Sequence, residues 1–146
     1  MSHIFSRQCE YALQALLYLA AKPPNEMTSI TELANNVNLP SPFLAKILQN
    51  LAHRKLLLSF KGRSGGFKLA KPAREITLFH IIEALDGSDF LHTCVLGFPA
   101  CSDKNPCATH QKWAELREGI SDMLKSRNIA DMAQDMKQSK YHALFK

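Results

Sequence analysis

Acidic residues are missing from one long stretch of this 146-residue chain. Residues 41–74 contain no Asp or Glu, although they hold 8 of the 18 Lys and Arg residues of the whole sequence. The chain has a net charge of +5 and a pI near 9.1. A segment whose charge is only positive excludes a basic partner at that surface, and it favours a polyanion such as DNA.

The sequence also lacks the signatures of several other protein classes. It has no glycine-rich cofactor loop, no nucleophile constellation and no second set of cysteines, so we expect neither an enzyme nor an iron–sulfur electron carrier. Its longest apolar run, residues 11–21, is too short to span a membrane. His3 and Arg7 precede this run but are opposed by Glu10, unlike the basic start of a signal peptide. We therefore expect a buried helix in a cytoplasmic protein without a membrane partner.

Cysteine is scarce, but three of the four cysteines lie within fourteen residues. Cys94, Cys101 and Cys107 share their segment with Gly97 and Pro99, a composition that is typical of a loop. Thiolate sulfur binds soft metals and iron–sulfur clusters. Structural zinc usually uses Cys-x-x-Cys pairs, which are absent here. A disulfide would leave one of the three cysteines unpaired, and a four-ligand site needs one further ligand.

Two short helices joined by a tight turn are predicted between residues 29 and 51. Ser29 and Glu32 have the spacing of a capping box, in which each side chain bonds a free backbone N–H at the helix start. Ser41 is the expected N-cap of the second helix, and Pro42 its first residue. This pattern predicts a helix-turn-helix with a DNA-recognition helix. The side chains of that helix that we expect to contact DNA are Ser41, Phe43, Lys46, Gln49 and Asn50.

A β-hairpin is predicted directly after the recognition helix. Apolar residues in segments 56–60 and 67–70 flank the glycine-rich segment 62–66, which is the pattern of two strands and a turn. A hairpin that follows a helix-turn-helix forms a wing, and this one belongs to the acid-free stretch. The wing residues that we expect to contact DNA are Lys61, Arg63 and Ser64.

A long helix is predicted after the cysteine segment. Trp113, Leu116, Ile120 and Met123 step by three, four and three residues and form a narrow apolar seam. Such a seam is typical of a helix that pairs with its own copy, so we expect dimerisation through these four residues. The polar tail that begins at Ile129 fits either another short helix or a disordered segment.

Together these patterns predict a mainly α fold with a small β-wing, made of a winged helix-turn-helix and a long C-terminal dimerisation helix. Thr77 is expected to cap a connecting helix, and Gly87 to end it. The predicted organisation is a DNA-binding domain over 1–75, the connecting helix over 76–90, a cysteine loop over 91–108, the dimerisation helix over 109–128 and a tail over 129–146.

Four stretches carry a resemblance to a known family. They are Glu10-Tyr11-Ala12-Leu13, the glycine motif from Gly62 to Ala70, the segment from Ile76 to Gly87, and the three-cysteine loop. Together with the helix-turn-helix they resemble the Rrf-two family of bacterial winged-helix transcriptional regulators over residues 4–125. The resemblance implies a homodimer that acts as a repressor and binds an imperfect palindromic operator in double-stranded DNA.

The resemblance is to the iron–sulfur branch of that family, which includes IscR-like and NsrR-like proteins. It implies that Cys94, Cys101 and Cys107 hold a 2Fe–2S or 4Fe–4S cluster, although the first gap is one residue longer than in the best-known members. The implied fourth ligand is either His110, three residues after the last cysteine, or Glu10 of the partner subunit. The sequence leaves both open.

The implied function is a switch that senses nitric oxide, redox state, or the supply of iron or clusters. Loss or oxidation of the cluster is expected to release the loop that joins the DNA-binding part to the dimerisation helix. The alternative is a winged-helix regulator whose cysteines bind zinc or act as a thiol switch without an iron–sulfur cluster.

Overall fold

The computed structural model describes residues 4–138 and places six α-helices and one two-stranded antiparallel sheet within them. The helices are α1 (Arg7–Ala20), α2 (Ile30–Val37), α3 (Ser41–His53), α4 (Leu78–Leu85), α5 (His110–Ser126) and α6 (Ile129–Gln138), and the strands are β1 (Leu57–Phe60) and β2 (Gly66–Leu69). Single turns of 3-10 helix span Ala73–Glu75 and Asp89–Leu91. The predicted mainly α fold with a small β-wing is confirmed. None of the described helices is long and apolar enough to cross a membrane.

Helix α1 is the centre of the fold because it contacts α2, α3, α4 and α6. Its N-cap is Ser6, whose hydroxyl accepts a hydrogen bond from the backbone N–H of Cys9 at 3.1 Å. It ends shortly before the pair Pro23-Pro24, which cannot continue a helix. Its apolar face is fully buried at Leu16, and burial of such a side chain stabilises the fold by roughly 1.5–3 kcal/mol.

Helix α2 begins with half of the predicted capping box. The Ser29 hydroxyl accepts a hydrogen bond from the backbone N–H of Glu32 at 3.1 Å. The Glu32 carboxylate does not complete the box but accepts from the Tyr18 hydroxyl and pairs with Lys22, which links α2 to the end of α1. These partners lower the pKa of Glu32, the hydrogen bond from Lys22 being the largest cause. A tertiary ion pair thus takes the place of the Glu32 half of the capping box, while Ser29 still caps the helix.

The recognition helix α3 begins one residue earlier than the capping pattern predicts. The N-cap position belongs to Pro40, which has no side-chain hydrogen bond, so the prediction of Ser41 as N-cap is wrong. The turn before α3 contains Asn38 in the left-handed conformation, and extended backbone at Pro40 then leads directly into the helix. Leu44 and Leu48 of α3 are fully buried, which fixes the opposite face of this helix toward solvent.

The wing is attached to the core by very close backbone contacts. Strands β1 and β2 pair with Phe60 opposite Gly66, and Phe67 forms a further two-hydrogen-bond bridge with Thr28. A Cβ atom at Gly66 would lie 2.3 Å from the carbonyl oxygen of Thr28, and one at Gly65 would lie 2.2 Å from that of Phe60. The two glycines are therefore required by the space between backbones, not only by the turn.

Helix α5 is attached to the body of the protein through a small second cluster of apolar side chains. Cys9, Ile82 and Leu124 are buried in it, and Ile120 packs against it. The sequence pattern missed Leu124 because it lies outside the seam from Trp113 to Met123. Burial of Cys9 agrees with its prediction as a small core residue.

The segment that follows α5 is helical up to Gln138 and forms α6, which is the first of the two predicted alternatives for the tail. Its N-terminus is capped by Asn128, whose side-chain oxygen accepts from the backbone N–H of Asp131 at 2.9 Å. Ile129 and Ala133 are buried against the main core, and the Lys137 ammonium donates to the carbonyl of Ala21 at the end of α1. Residues 139–146 of the predicted tail lie outside the described part of the chain.

Candidate metal centre and nucleic-acid interface

The three loop cysteines converge on one point. Their sulfur atoms all lie within 4.8 Å of one another, and those of Cys94 and Cys107 are 3.6 Å apart. The three side chains are half-buried in a pocket of about 240 Å³ between the loop and the start of α5. A group of three sulfurs at this spacing could hold one metal ion or a small cluster.

The beginning of the cysteine loop is fastened to α5. The indole N–H of Trp113 donates to the backbone carbonyl of Thr93 at 2.8 Å, and Arg117 approaches the same oxygen at 3.4 Å. Trp113 was predicted as a dimer contact, and this bond to the loop could not be inferred from its place in the seam. The contact ties the position of the loop to the position of α5.

His110 is the predicted fourth ligand that lies beside the cysteines. Its Nδ1 is 3.2 Å from the sulfur of Cys101, and its Nε2 is 2.8 Å from a carboxylate oxygen of Asp103. Glu10 is not among the residues that line the pocket of its own protomer, and its Oε1 is buried without a hydrogen-bond partner among the described residues. Within one protomer, therefore, only His110 of the two candidates meets the sulfurs.

The cysteines differ in acidity. The pKa of Cys107 is lowered from 9.0 to about 7, chiefly because the backbone N–H of Thr109 bonds its sulfur. The backbone N–H of Cys107 lowers the pKa of Cys101, but burial and the neighbouring thiols outweigh that bond, so this pKa is raised overall. Burial raises the pKa of Cys9 to about 12. The loop therefore carries a thiolate near neutral pH, whereas Cys9 stays protonated.

We expect alkylation to separate the loop thiols from Cys9. Iodoacetamide reacts with thiolate, and at neutral pH a thiol of pKa about 7 is about half ionised, while one of pKa about 12 is almost wholly protonated. Peptide mass spectrometry of the reduced apo-protein should show Cys107 modified first, faster as the pH rises through 7, and Cys9 unmodified. Comparable modification of Cys9 would contradict its burial.

The donor set fits a soft metal or an iron–sulfur cluster. Three sulfurs and an imidazole nitrogen are ligands that such groups accept. Arg117 lines the same pocket, and its Nε is buried without a hydrogen-bond partner among the described residues. Because thiolates and their clusters carry negative charge, a guanidinium whose buried Nε–H has no partner favours an anionic occupant beside it.

The predicted DNA contacts lie on two neighbouring elements. Helix α3 exposes Lys46, Gln49 and Asn50, and Phe43 is 65% exposed although it is aromatic. The side-chain amide of Gln49 donates to the hydroxyl of Ser59 in β1 at 3.0 Å, so the recognition helix and the wing form one surface. Of the remaining predicted residues, Ser41 is half-buried at the start of α3, and Lys61, Arg63 and Ser64 are exposed at the wing tip.

A groove of about 610 Å³ runs beside the recognition helix. It is lined by Phe43, Lys46 and Gln49 of α3 and by Gln8 and Tyr11 of α1. Sequence reasoning did not place α1 at this surface, because the contact depends on how α1 and α3 cross. His53 at the end of α3 lines the same groove and was also missed.

The four predicted dimer residues divide into two pairs. Leu116 and Met123 are large apolar side chains that are 52% and 51% exposed on the outer face of α5. Trp113 and Ile120 are half-buried within the protomer, where one bonds the loop and the other packs on the second cluster. The seam therefore has an outward half and an inward half.

Comparison with known proteins agrees with these features. Residues 5–135 match the family model described as "Rrf2: Iron-dependent Transcriptional regulator". The chain belongs to the Rrf2 family. The match confirms the resemblance that the sequence motifs carry, and it makes the chain a transcriptional regulator, which implies DNA binding.

Several known proteins resemble the chain over nearly its whole length. A protein of Aquifex aeolicus (strain VF5) named as an HTH-type transcriptional regulator is 40% identical over 131 residues, which cover 88% of this chain and 90% of the relative. The solved structure of CymR, the global cysteine regulator of B. subtilis, covers 92% of this chain and 98% of its own at 26% identity and a TM-score of 0.77. That of T. potens IscR covers 92% and 89% at 26% identity and a TM-score of 0.73.

Proposed function

We propose that this Rrf2-family protein is a homodimeric repressor whose binding to its operator is controlled by an iron–sulfur cluster. The observation that carries the proposal is the convergence of Cys94, Cys101 and Cys107 within 4.8 Å at the junction between the DNA-binding part and α5. The family description as iron-dependent supports iron as the metal. Cys94, Cys101, Cys107 and one further ligand, His110 or Glu10 of the partner subunit, would hold the cluster, which supplies a group sensitive to redox state and nitric oxide.

DNA binding is assigned to the surface formed by α3 and the wing. Helix α3 and the wing both lie within residues 41–74, which contain no Asp or Glu, so no carboxylate of this segment offsets their positive charge. In this arrangement Lys46 contacts phosphates beside the major groove, and Arg63 at the wing tip enters or borders a narrow minor groove, where arginine is favoured. Two such surfaces in a symmetric dimer bind an imperfect palindrome.

Dimerisation is assigned to α5 together with the cysteine loop. Five large apolar side chains of these two elements are exposed, and exposed apolar surface of this kind marks a protein interface. They are Val95, Leu96, Phe98, Leu116 and Met123. A second copy of the chain is the partner that the seam of α5 favours, because its apolar residues repeat at the spacing of paired helices.

The coupling between site and DNA follows a chain of direct contacts. The loop is bonded to α5 by Trp113, and α5 packs on α4, which in turn contacts α1. Helix α1 in turn contacts the recognition helix. Without a bound group to hold the three cysteines together, the loop is released, and the position of α5 relative to α1 changes. The two recognition helices of the dimer then no longer match the operator spacing.

A thiol or zinc switch is the second candidate. The sulfurs of Cys94 and Cys107 are already 3.6 Å apart, so a small movement would allow a disulfide, and three thiols with an imidazole also fit zinc. CymR, one of the similar solved structures, is described as a global cysteine regulator. This candidate keeps the DNA-binding surface and changes only the switch.

Purification without oxygen tests the choice between these two candidates. We expect broad visible absorbance, with iron and acid-labile sulfide in matched amounts per dimer, and loss of the colour on exposure to nitric oxide or air. Zinc without sulfide would support the second candidate. A colourless, metal-free protein that cannot be reconstituted with iron and sulfide would refute the cluster while leaving DNA binding in place.

A further inference from the structure

The imidazole of His110 is held on two opposite edges. Its Nδ1 lies 3.2 Å from the sulfur of Cys101, and its Nε2 lies 2.8 Å from Oδ1 of Asp103. The side chain of His110 is 13% exposed, whereas that of Asp103 is 99% exposed. The carboxylate therefore reaches inward from a solvent-exposed position to meet one particular ring nitrogen.

A tight turn places the carboxylate there. Ser102 and Asn105 exchange backbone hydrogen bonds at 3.2 and 3.0 Å, and the Ser102 hydroxyl accepts a further bond from the N–H of Asn105. The amide of Asn105 also donates to the carbonyl of Ala100 at 3.3 Å. Asp103 sits inside this turn, so the chain holds it over the start of α5, where His110 is the first helical residue.

A carboxylate hydrogen-bonded to Nε2 determines whether Nδ1 has a free lone pair. When Asp103 accepts the Nε2 proton, the neutral ring keeps its free lone pair on Nδ1, and this nitrogen is the one that faces the sulfurs. Metal-binding histidines usually donate their other ring N–H to a carboxylate, a backbone carbonyl or a water, and this partner orients the ring and increases the electron density of the ligand atom.

We propose that Asp103 is a positioning residue that makes Nδ1 of His110 the nitrogen ligand of the cysteine site. The site is then completed within one protomer, and Glu10 of the partner subunit is not its ligand. This inference deepens the proposed function and rests on metal binding by the three cysteines, but it does not depend on whether the bound group is a cluster or a single ion.

Structural and positioning roles of Asp103 have different consequences. An ion pair with a fully exposed carboxylate contributes little to folding, so loss of Asp103 leaves the thermal stability of the apo-protein nearly unchanged. Loss of a carboxylate that orients a metal-binding histidine lowers metal affinity by roughly 10–100-fold. Thermal stability of the apo-protein and metal affinity therefore distinguish a structural role of Asp103 from a positioning role.

Cobalt(II) alone, added to the reduced full-length apo-protein without oxygen, is the probe. Its visible absorption reports tetrahedral sulfur and nitrogen ligation, and titration against a chelator gives the affinity. We expect Asp103→Asn to weaken cobalt binding by roughly 10–100-fold, Asp103→Glu to restore most of the affinity, and His110→Ala to shift the absorption bands. The control Asp122→Asn, which removes an exposed carboxylate from α5, should bind like the wild type, as should Glu10→Gln.

Three results would overturn the proposal. They are a wild-type protein that does not bind cobalt, an Asp103→Asn protein within about twofold of wild-type affinity, and a Glu10→Gln protein that loses the site while His110→Ala keeps it. Because cobalt needs no sulfide, failure to reconstitute an iron–sulfur cluster refutes only the choice of cofactor. The cobalt titration tests the assignment of Asp103 separately.

Discussion

Replacement of Cys101 by Ala is expected to remove iron and sulfide from the protein and to abolish the switch. Cys101 lies between the other two loop cysteines in the chain, and its sulfur is within 4.8 Å of both of theirs and 3.2 Å from His110. A site that loses this ligand keeps two thiolates, which are too few for a stable cluster in a half-exposed loop.

The measurement uses a DNA duplex selected from a random-sequence pool with the iron-loaded wild-type protein. Wild type should show a difference of about tenfold or more between loaded and apo forms, the usual size of coupling between two sites. Cys101→Ala should bind with one affinity, equal to that of the wild-type apo form, under both conditions. Cys9→Ala is the matched control for iron content, which should be unchanged because this cysteine is fully buried in an apolar cluster outside the loop. Equal affinity of loaded and apo wild type would refute the coupling.

The double substitution Lys46→Ala and Arg63→Ala is expected to weaken binding to every duplex and to flatten its salt dependence. Both side chains are exposed on the acid-free surface, one on α3 and one at the wing tip. If each neutralises one phosphate, the slope of log affinity against log salt should fall by about one unit per side chain and about two in the double variant.

Fluorescence anisotropy at several salt concentrations measures this slope. Lys112→Ala is the control, since Lys112 is also an exposed cation but lies on α5, where it pairs with Glu115 at 3.7 Å. The control should keep the wild-type slope. An unchanged slope in the double variant, or an equal loss in the control, would place the DNA-binding surface elsewhere.

The local elements of this protein follow from short-range patterns in its sequence. Apolar spacing predicts α1, α3 and α5, and strand-like runs around the segment 62–66 predict the wing, because each pattern expresses the geometry of one helix or hairpin. The capping signals were borne out in part, and Thr77 caps α4 through a complete capping box, as predicted. Ser29 caps α2, but Glu32 bonds α1 instead of its own helix, and Pro40 occupies the position predicted for Ser41. A side chain with the spacing of a capping box can thus take a tertiary partner instead, as Glu32 does with Tyr18 and Lys22.

The candidate site could also be predicted from the sequence only in part. The clustering of three cysteines and the following histidine is visible in the chain, and it is sufficient to predict a thiolate-rich site. The roles of Asp103, Arg117 and Trp113 are not visible, because they depend on how the loop folds back over α5. Asn128 before α6 is a local capping signal that is visible in the sequence, since asparagine is a preferred N-cap residue.

The sequence by itself determined the kind of protein this is: a winged-helix regulator with a basic, acid-free segment over α3 and the wing and three cysteines in one loop. Those properties reside in residue type and local spacing. The tertiary structure alone decided that Leu124 attaches α5 to the body, that α6 packs on α1, and that His110 rather than Glu10 meets the sulfurs within a protomer. The first two depend on contacts between residues far apart in the chain, and the third depends on how the cysteine loop folds back over the start of α5. Neither kind of contact leaves a periodic pattern in a single sequence.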